Sequence, residues 1–168
     1  MSEKKILLVV PPEGFDDEQY QTCRRFWESR GHKVSVASLS GIARGEAGTA
    51  VPVDTLIRDV KTYNYDAVVF LGGEGARILY DDESARNLAK DVKYKVIGAS
   101  GNAVLLLSLA GTLENKKVTG PPDLAGWLLK SKARYTGEPV CVDDRLVTIQ
   151  APAMAEQLAA SVAAALDK

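Results

Sequence analysis

The sequence predicts a single α/β domain of the flavodoxin-like, doubly wound kind, in which a mostly parallel sheet is sandwiched between helices in three layers. Short β-branched runs alternate with amphipathic stretches along the whole chain. The clearest of these runs, Ile6 to Val10 and Ala67 to Leu71, are continuously apolar, as strands covered on both faces by helices must be. With 168 residues, 46% of them hydrophobic, the chain can bury one sizeable core but hardly two, so residues 1–168 read as one domain.

Lys5 to Val10 reads as the first strand. A helix follows from Asp16 to Arg30, with Tyr20, Cys23, Phe26, Trp27 and Arg30 on one side at helical spacing. Asp16, Asp17 and Glu18 suit its positive end, and Gly31 can stop it. Lys33 to Ala37 is the second strand. Gly41 to Val53 reads as a Gly-rich excursion forming a small hairpin or edge feature. Asp66 to Leu71 and Lys95 to Ala99 continue the sheet, and Ala103 to Leu109 is an apolar helical stretch. Val140 to Thr148 reads as a hairpin turning at Asp143-Asp144. A closing helix from Ala153 to Leu166 carries Met154, Leu158, Val162 and Leu166 on one stripe.

Composition removes several function classes. The 21 basic and 22 acidic side chains leave a formal charge of -1, so no overall field gathers nucleic acid or an anionic membrane. No apolar run approaches the roughly 20 residues of a membrane span, and the N-terminus lacks a small-residue cleavage site; a cytoplasmic protein is expected. Cys23 and Cys141 are too few for a disulfide framework and lack metal-ligand spacing, so they read as buried, reduced thiols. No metal or cofactor is expected.

Ligands of open parallel sheets bind beyond the carboxyl ends of the strands, which singles out Pro11 to Asp17, Gly72 to Arg77 and Gly98 to Asn102. In the third loop, Gly98-Ala99-Ser100-Gly101-Asn102 lies between a buried strand and an apolar helix, the context of a nucleophile elbow with Ser100 at its centre. Amides of such a turn can face a developing oxyanion, although Ser100 or Asn102 can equally serve as a helix cap. A serine nucleophile needs a base. The single histidine, His32, falls at the opposite, amino-terminal edge of the sheet and reads as a surface turn residue. Gly72, Gly73 and Gly75 could offer backbone N–H groups to an anion or carbonyl oxygen. The same run lacks a third Gly for a dinucleotide fingerprint, and the carboxylates of Pro11 to Asp17 disfavour a flavin phosphate.

Taken together, Gly14 to Gln19, Arg30-Gly31-His32-Lys33-Val34, Asp66 to Gly73, Val96 to Asn102, Val118-Thr119-Gly120-Pro121-Pro122 and the Val140 to Pro152 hairpin resemble the ThiJ/PfpI superfamily over nearly the full length. That superfamily includes the parkinsonism-associated deglycase, the PfpI intracellular proteases and related glyoxalases, within the class I glutamine amidotransferase-like fold. The resemblance implies an elbow cysteine hydrogen-bonded by a glutamate from the loop after the first strand. On these matches the cysteine position holds Ser100, followed by Gly101. The glutamate position holds Gln19, with Glu18 available by a one-residue shift. The position of a glutamate lent by a neighbouring subunit in the proteases holds Arg77, and Pro121 stands where some relatives have a histidine.

Loss of nucleophile, base and carboxylate together implies a non-catalytic or strongly diverged member. Its pocket, formed by Gly72, Gly73, Gly75, Gly101, Asn102, Arg77 and Pro121, would bind a small carbonyl or anionic ligand. One alternative is a diverged serine-dependent hydrolase, amidase or glyoxalase-like enzyme using Ser100 with Gln19 or Glu18; another is an oligomeric scaffold or stress-related interaction protein. The resemblance also implies a homodimer or larger homo-oligomer.

Overall fold

Continuous apolar strands can be satisfied only if both faces of the sheet are covered, and the computed structural model, which describes residues 2–168, covers them. The first half of the chain runs β1 (Lys5–Val9), β2 (Glu13–Phe15), α1 (Asp17–Ser29), β3 (Lys33–Ser38), β4 (Ile42–Gly45), β5 (Ala50–Pro52), β6 (Thr55–Leu56), β7 (Ala67–Phe70) and α2 (Glu83–Asp91). The second half runs β8 (Val96–Ser100), α3 (Val104–Leu109), β9 (Lys117–Val118), α4 (Ala125–Lys130), β10 (Arg134–Tyr135), β11 (Val140–Asp143), β12 (Leu146–Ile149) and α5 (Ala155–Leu166).

The main sheet has seven strands in the order β11-β12-β8-β7-β1-β3-β6. All pairings are parallel except β11 with β12. Its long parallel strands follow the flavodoxin-like order, which reverses between β1 and β7 and opens a crevice at their carboxyl ends. Side-chain alternation then divides the core in two: Ile6 and Leu8 pack toward α1 and α5, whereas Leu7 and Val9 pack toward α2 and α3. That division is why β1 is apolar and buried at every position after Lys5.

Helix α1 begins where the sequence places it. The Asp16 carboxylate accepts the N–H of Gln19 at 2.8 Å, and Gly31, at φ 84°, ends it in the left-handed conformation glycine adopts without strain. Its buried side is Gln19, Tyr20, Cys23 and Trp27; Gln19 was absent from the expected stripe, and Phe26 is only half-buried. Trp27 donates its indole N–H to the Ala159 carbonyl at 2.9 Å, tying α1 to α5. Helices α2 and α4 were not anticipated; α2 is short but capped by Asp82, which accepts the N–H of Ala85 at 2.8 Å.

The structure bears out one expectation about the periphery and corrects two. The Gly41 to Val53 excursion is a hairpin, but it belongs to no edge of the main sheet: β4 pairs with β5 and with β2, forming a separate three-stranded sheet over the loop that follows β1. His32 lies at the amino-terminal edge as expected, yet it is buried, and its Nδ1 accepts the N–H of Lys4 at 3.1 Å. It is a structural acceptor, not a surface turn residue, because the strand entering at Lys4 needs a partner that the sheet does not supply. The β11–β12 turn falls at Asp144, at φ 55°, one residue later than expected.

The hairpin is anchored by one carboxylate. Asp17 accepts the N–H groups of Ala47 at 2.7 Å and Thr49 at 3.0 Å. Partial burial pushes the Asp17 carboxyl up, but the hydrogen bonds from Thr49 and Ala47 outweigh it and leave the group below its ordinary value. A lowered folded pKa contributes stability above the unfolded value, and that contribution disappears as pH falls through the folded one. The protection factors of the Ala47 and Thr49 amides, taken against intrinsic exchange at each pH, should therefore be high at neutral pH and fall on acidification below the ordinary carboxylate range. Asp17→Asn should show fast exchange at both positions at every pH. Trp27→Phe should lower the unfolding free energy by about 1 to 3 kcal/mol, read by urea denaturation, since it removes the bond to the Ala159 carbonyl and leaves a void beside α5.

Candidate functional site

At the switch-point crevice, a cavity of about 200 Å³ is lined by Gln19, Gly72, Gly73, Ser100, Gly101, Asn102, Pro121, Gln150, Ala151 and Pro152. Roomier clefts of about 410 Å³ and about 390 Å³ lie elsewhere, beside α2 and at the amino-terminal edge of the sheet. Their polar side chains are at least partly exposed, whereas the small cavity contains Gln19 and Ser100 at 1% and 0% exposure. A fully buried polar pair is the unusual feature.

Of the residues singled out from the sequence, Gln19, Gly72, Gly73, Ser100, Gly101, Asn102 and Pro121 line this cavity. Glu18, Arg77 and Gly75 do not. Glu18 and Arg77 are exposed: Glu18 lies on the outer side of the first turn of α1, one residue away from the inward-facing Gln19. Gly75 is required for a different reason. A Cβ there would stand 1.6 Å from the Glu13 carbonyl oxygen, so the glycine lets two backbones touch and takes no part in a ligand cradle. Gln150, Ala151 and Pro152, from the segment after β12, complete the mouth; they were overlooked because nothing about their residue types marks them before the sheet order brings β12 beside β8.

The turn itself differs from the expected elbow. Ser100 is the last residue of β8 in ordinary extended conformation, φ -122° and ψ 137°. The left-handed residue is Gly101, at φ 53°. The apex of the strand-to-helix turn is thus Gly101, and Ser100 stops one residue short of it with its side chain folded into the floor. An ideal Cβ on Gly101 would meet only the Gln150 carbonyl oxygen, at 3.9 Å, so the space in which an apical side chain would stand is open.

The buried side-chain polar groups around that space are satisfied from within, with one exception. The Ser100 hydroxyl accepts the N–H of Gly72 at 2.8 Å and donates to Oε1 of Gln19 at 2.5 Å. Asn102 clamps Gly73 at two points, its Oδ1 accepting the Gly73 N–H at 3.2 Å and its Nδ2 donating to the Gly73 carbonyl at 2.8 Å. The next amide, Glu74, donates to the Glu46 carboxylate at 2.7 Å. These three consecutive N–H groups, of which Gly72 and Gly73 are expected from sequence as donors to an anion or carbonyl oxygen, are occupied by side chains of the same chain. Tyr80 fixes the turn from outside by donating its hydroxyl to the Asn102 carbonyl at 2.6 Å.

The exception is Gln19. Its Nε2 is buried and has no partner. The amide orientation follows from the serine: Oγ already accepts from Gly72, so its own proton requires an acceptor, which only the oxygen end of Gln19 provides. The N–H₂ end is left over, enclosed by the protein with almost no accessible surface.

No base stands within reach of this hydroxyl among its hydrogen-bond partners, which are an amide N–H and an amide oxygen. His32 is at the other edge of the sheet. Nor does either thiol replace it. Burial against α5 pushes Cys23 up to about 12, and Cys141, raised chiefly by burial, lies in β11 on the edge of the sheet. Among the described residues no group of three or more His, Cys, Asp or Glu side chains could hold a metal ion, and no helix is long and apolar enough to cross a membrane.

Comparison with known proteins agrees with this architecture. A 174-residue alignment with an uncharacterised protein of Methanocaldococcus jannaschii shows 32% identity and covers 100% of this chain and 85% of the other. A deglycase of Pyrococcus horikoshii is 27% identical over 89% of this chain and 91% of its own. Among solved structures, a ThiJ/PfpI domain protein from Brachyspira murdochii superposes with a TM-score of 0.94 at 30% identity, covering 99% and 98% of the two chains. Drosophila melanogaster DJ-1beta shares the fold, with a TM-score of 0.88 over 98% and 91%. The DJ-1/PfpI family model matches residues 4–165. With a central parallel sheet, a strand-to-helix turn at the switch point and a family match across nearly its whole length, the chain belongs to the DJ-1/PfpI family.

Proposed function

We propose that this chain is a family member without nucleophilic catalysis, whose switch-point cavity holds a small carbonyl-bearing ligand by non-covalent contacts. One observation carries the reading: the turn's only hydroxyl is consumed as a staple between Gly72 and Gln19, on the wall of a cavity lined by no charged side chain. A serine becomes a nucleophile when a base takes its proton in the transition state. An amide oxygen cannot accept that proton as a base, and moving Ser100 out to attack would strip the Gly72 N–H of its acceptor. Gly101, the residue at the turn's apex, has no side chain to react.

Ligand size follows from the space. About 200 Å³ is below the roughly 300 to 1,000 Å³ of pockets that enclose drug-sized ligands, so the bound portion is small. The chain's partners, on this reading, are that ligand and further copies of itself. The exposed apolar side chains Trp127 and Leu129 on α4 support self-association.

The serine-enzyme alternative is tested by incubation with a fluorophosphonate and intact-mass measurement. No adduct is expected on the folded protein, and methylglyoxal should not be consumed above the buffer rate; stoichiometric labelling at Ser100, or turnover lost in Ser100→Ala, would end the proposal. The staple role makes a separate demand on stability. Ser100→Ala leaves both the Gly72 N–H and the Gln19 oxygen buried without partners, and should lower the unfolding free energy by about 1 to 3 kcal/mol. A serine kept for reactivity at an unsupported turn would leave stability unchanged or raised when removed.

A further inference from the structure

A second cavity opens at the carboxyl edge of the main sheet, where β3 and β6 end side by side with Ser38 in register with Leu56. Its volume of about 410 Å³ falls within the roughly 300 to 1,000 Å³ of small-molecule sites. The floor is apolar: Leu39 follows β3, Leu56 ends β6, and Ile57 is buried in the same core layer as the inner side of α2. Two elements make the rim. The turn Ile57–Asp59 supplies Arg58, and the start of α2 with its cap supplies Asp82, Glu83 and Ser84.

Part of this rim is already committed, since the Asp82 carboxylate accepts the N–H of Ala85 at 2.8 Å and the hydroxyl of Ser84. Arg58 and Glu83 are not. The ion pairs among the described residues are Arg24–Glu28, Arg86–Asp81 and Lys132–Glu114. A guanidinium and a carboxylate thus line one cavity without reaching each other, above an apolar floor.

The arrangement fits an occupant with both charges and an apolar body. A monocarboxylate would reach Arg58 but bring a like charge toward Asp82 and Glu83, and a simple amine would face the two carboxylates with Arg58 repelling it. A zwitterion sets a counter-charge against each and adds no net charge. Arginine suits the carboxylate end, because its planar fork donates two parallel N–H bonds. An aliphatic side chain on the same molecule takes the surface of Leu39, Leu56 and Ile57 out of water.

We infer that this cavity is a binding site for a free α-amino acid with an aliphatic side chain, its carboxylate on Arg58, its ammonium on Glu83 and its side chain on the floor. It shares no lining residue with the switch-point cavity, so it stands or falls separately from the function proposed above.

Four probes titrated into the full chain at millimolar concentrations test it, with the amide chemical shifts of Leu39, Ile57, Arg58 and Ser84 as the readout: leucine, isocaproate without the ammonium, leucinamide without the carboxylate, and glycine without the side chain. Leucine should bind at least about tenfold tighter than each of the others. Arg58 and Glu83 are exposed, so Arg58→Gln and Glu83→Gln should each keep the circular-dichroism spectrum while weakening leucine binding at least about tenfold. Leucinamide should bind Arg58→Gln no more weakly than the unaltered chain, because a cation has no use for the guanidinium. Absence of leucine shifts at these residues, isocaproate or glycine binding as tightly as leucine, or leucine affinity unchanged in both variants would overturn the assignment. Leucinamide matching leucine would overturn the free amino acid in favour of the first residue of a peptide.

Discussion

Three loops at the carboxyl edge of the sheet meet closely enough that their backbones touch, and this contact sets the terms for everything else in the site. A Cβ on Gly73 would stand 2.2 Å from the Gly14 carbonyl oxygen, and one on Gly72 would stand 2.6 Å from that of Ser100. Chains this close bring peptide groups out of water together, and each buried N–H must find an acceptor. Helical or sheet partners are not available at a loop crossing. Side chains supply the acceptors instead: Ser100 for Gly72, Asn102 for Gly73 and Glu46 for Glu74. The polar residues around the crevice are first of all the solution to a backbone problem.

The solution links distant segments of sequence. Glu46 reaches Glu74 only because the β4–β5 hairpin is folded back over the loop after β1, and the hairpin is held there by the Asp17 carboxylate at the start of α1. Gln19 faces Ser100 because it follows the Asp16 cap by three residues, which turns it inward where Glu18 faces out. Removing a cap, an anchor or a glycine therefore acts on the cavity through the register of a neighbouring loop.

Periodicity and apolar continuity made the scaffold legible: β1, α1, β3, β7, β8 and α5 are found within a residue or two of where those patterns end. The signal is strong because both faces of the central strands are buried along most of their length. Helices α2 and α4 escaped because they are short, with few buried side chains to generate a pattern. The site was legible in its membership but not in its geometry. Ser100, Gly101 and Gln19 stand out by residue type and place, yet which residue of Gly98 to Asn102 takes the left-handed conformation depends on where β8 releases its last hydrogen-bonded pair, Ser100 with Ile149. His32 was expected to be exposed for a similar reason: a turn beside Gly31 looks exposed until the chain entering β1 at Lys4 covers it.

A hydroxyl can act as a staple or as a nucleophile, and the demands conflict. A staple accepts one strong hydrogen bond, donates another and stays neutral, with both partners relying on it. A nucleophile must be free to leave its acceptor role, must surrender its proton to a base, and must sit where a substrate's carbon can approach. Ser100 meets the first description at every point: it is fully buried, bonded on both sides, and paired with an amide that cannot take its proton. The residue with the approach geometry is its neighbour, which has no side chain. Separating the two properties onto adjacent residues leaves a turn that is rigid and hollow at its apex, and such a turn is better suited to recognising a molecule than to changing it.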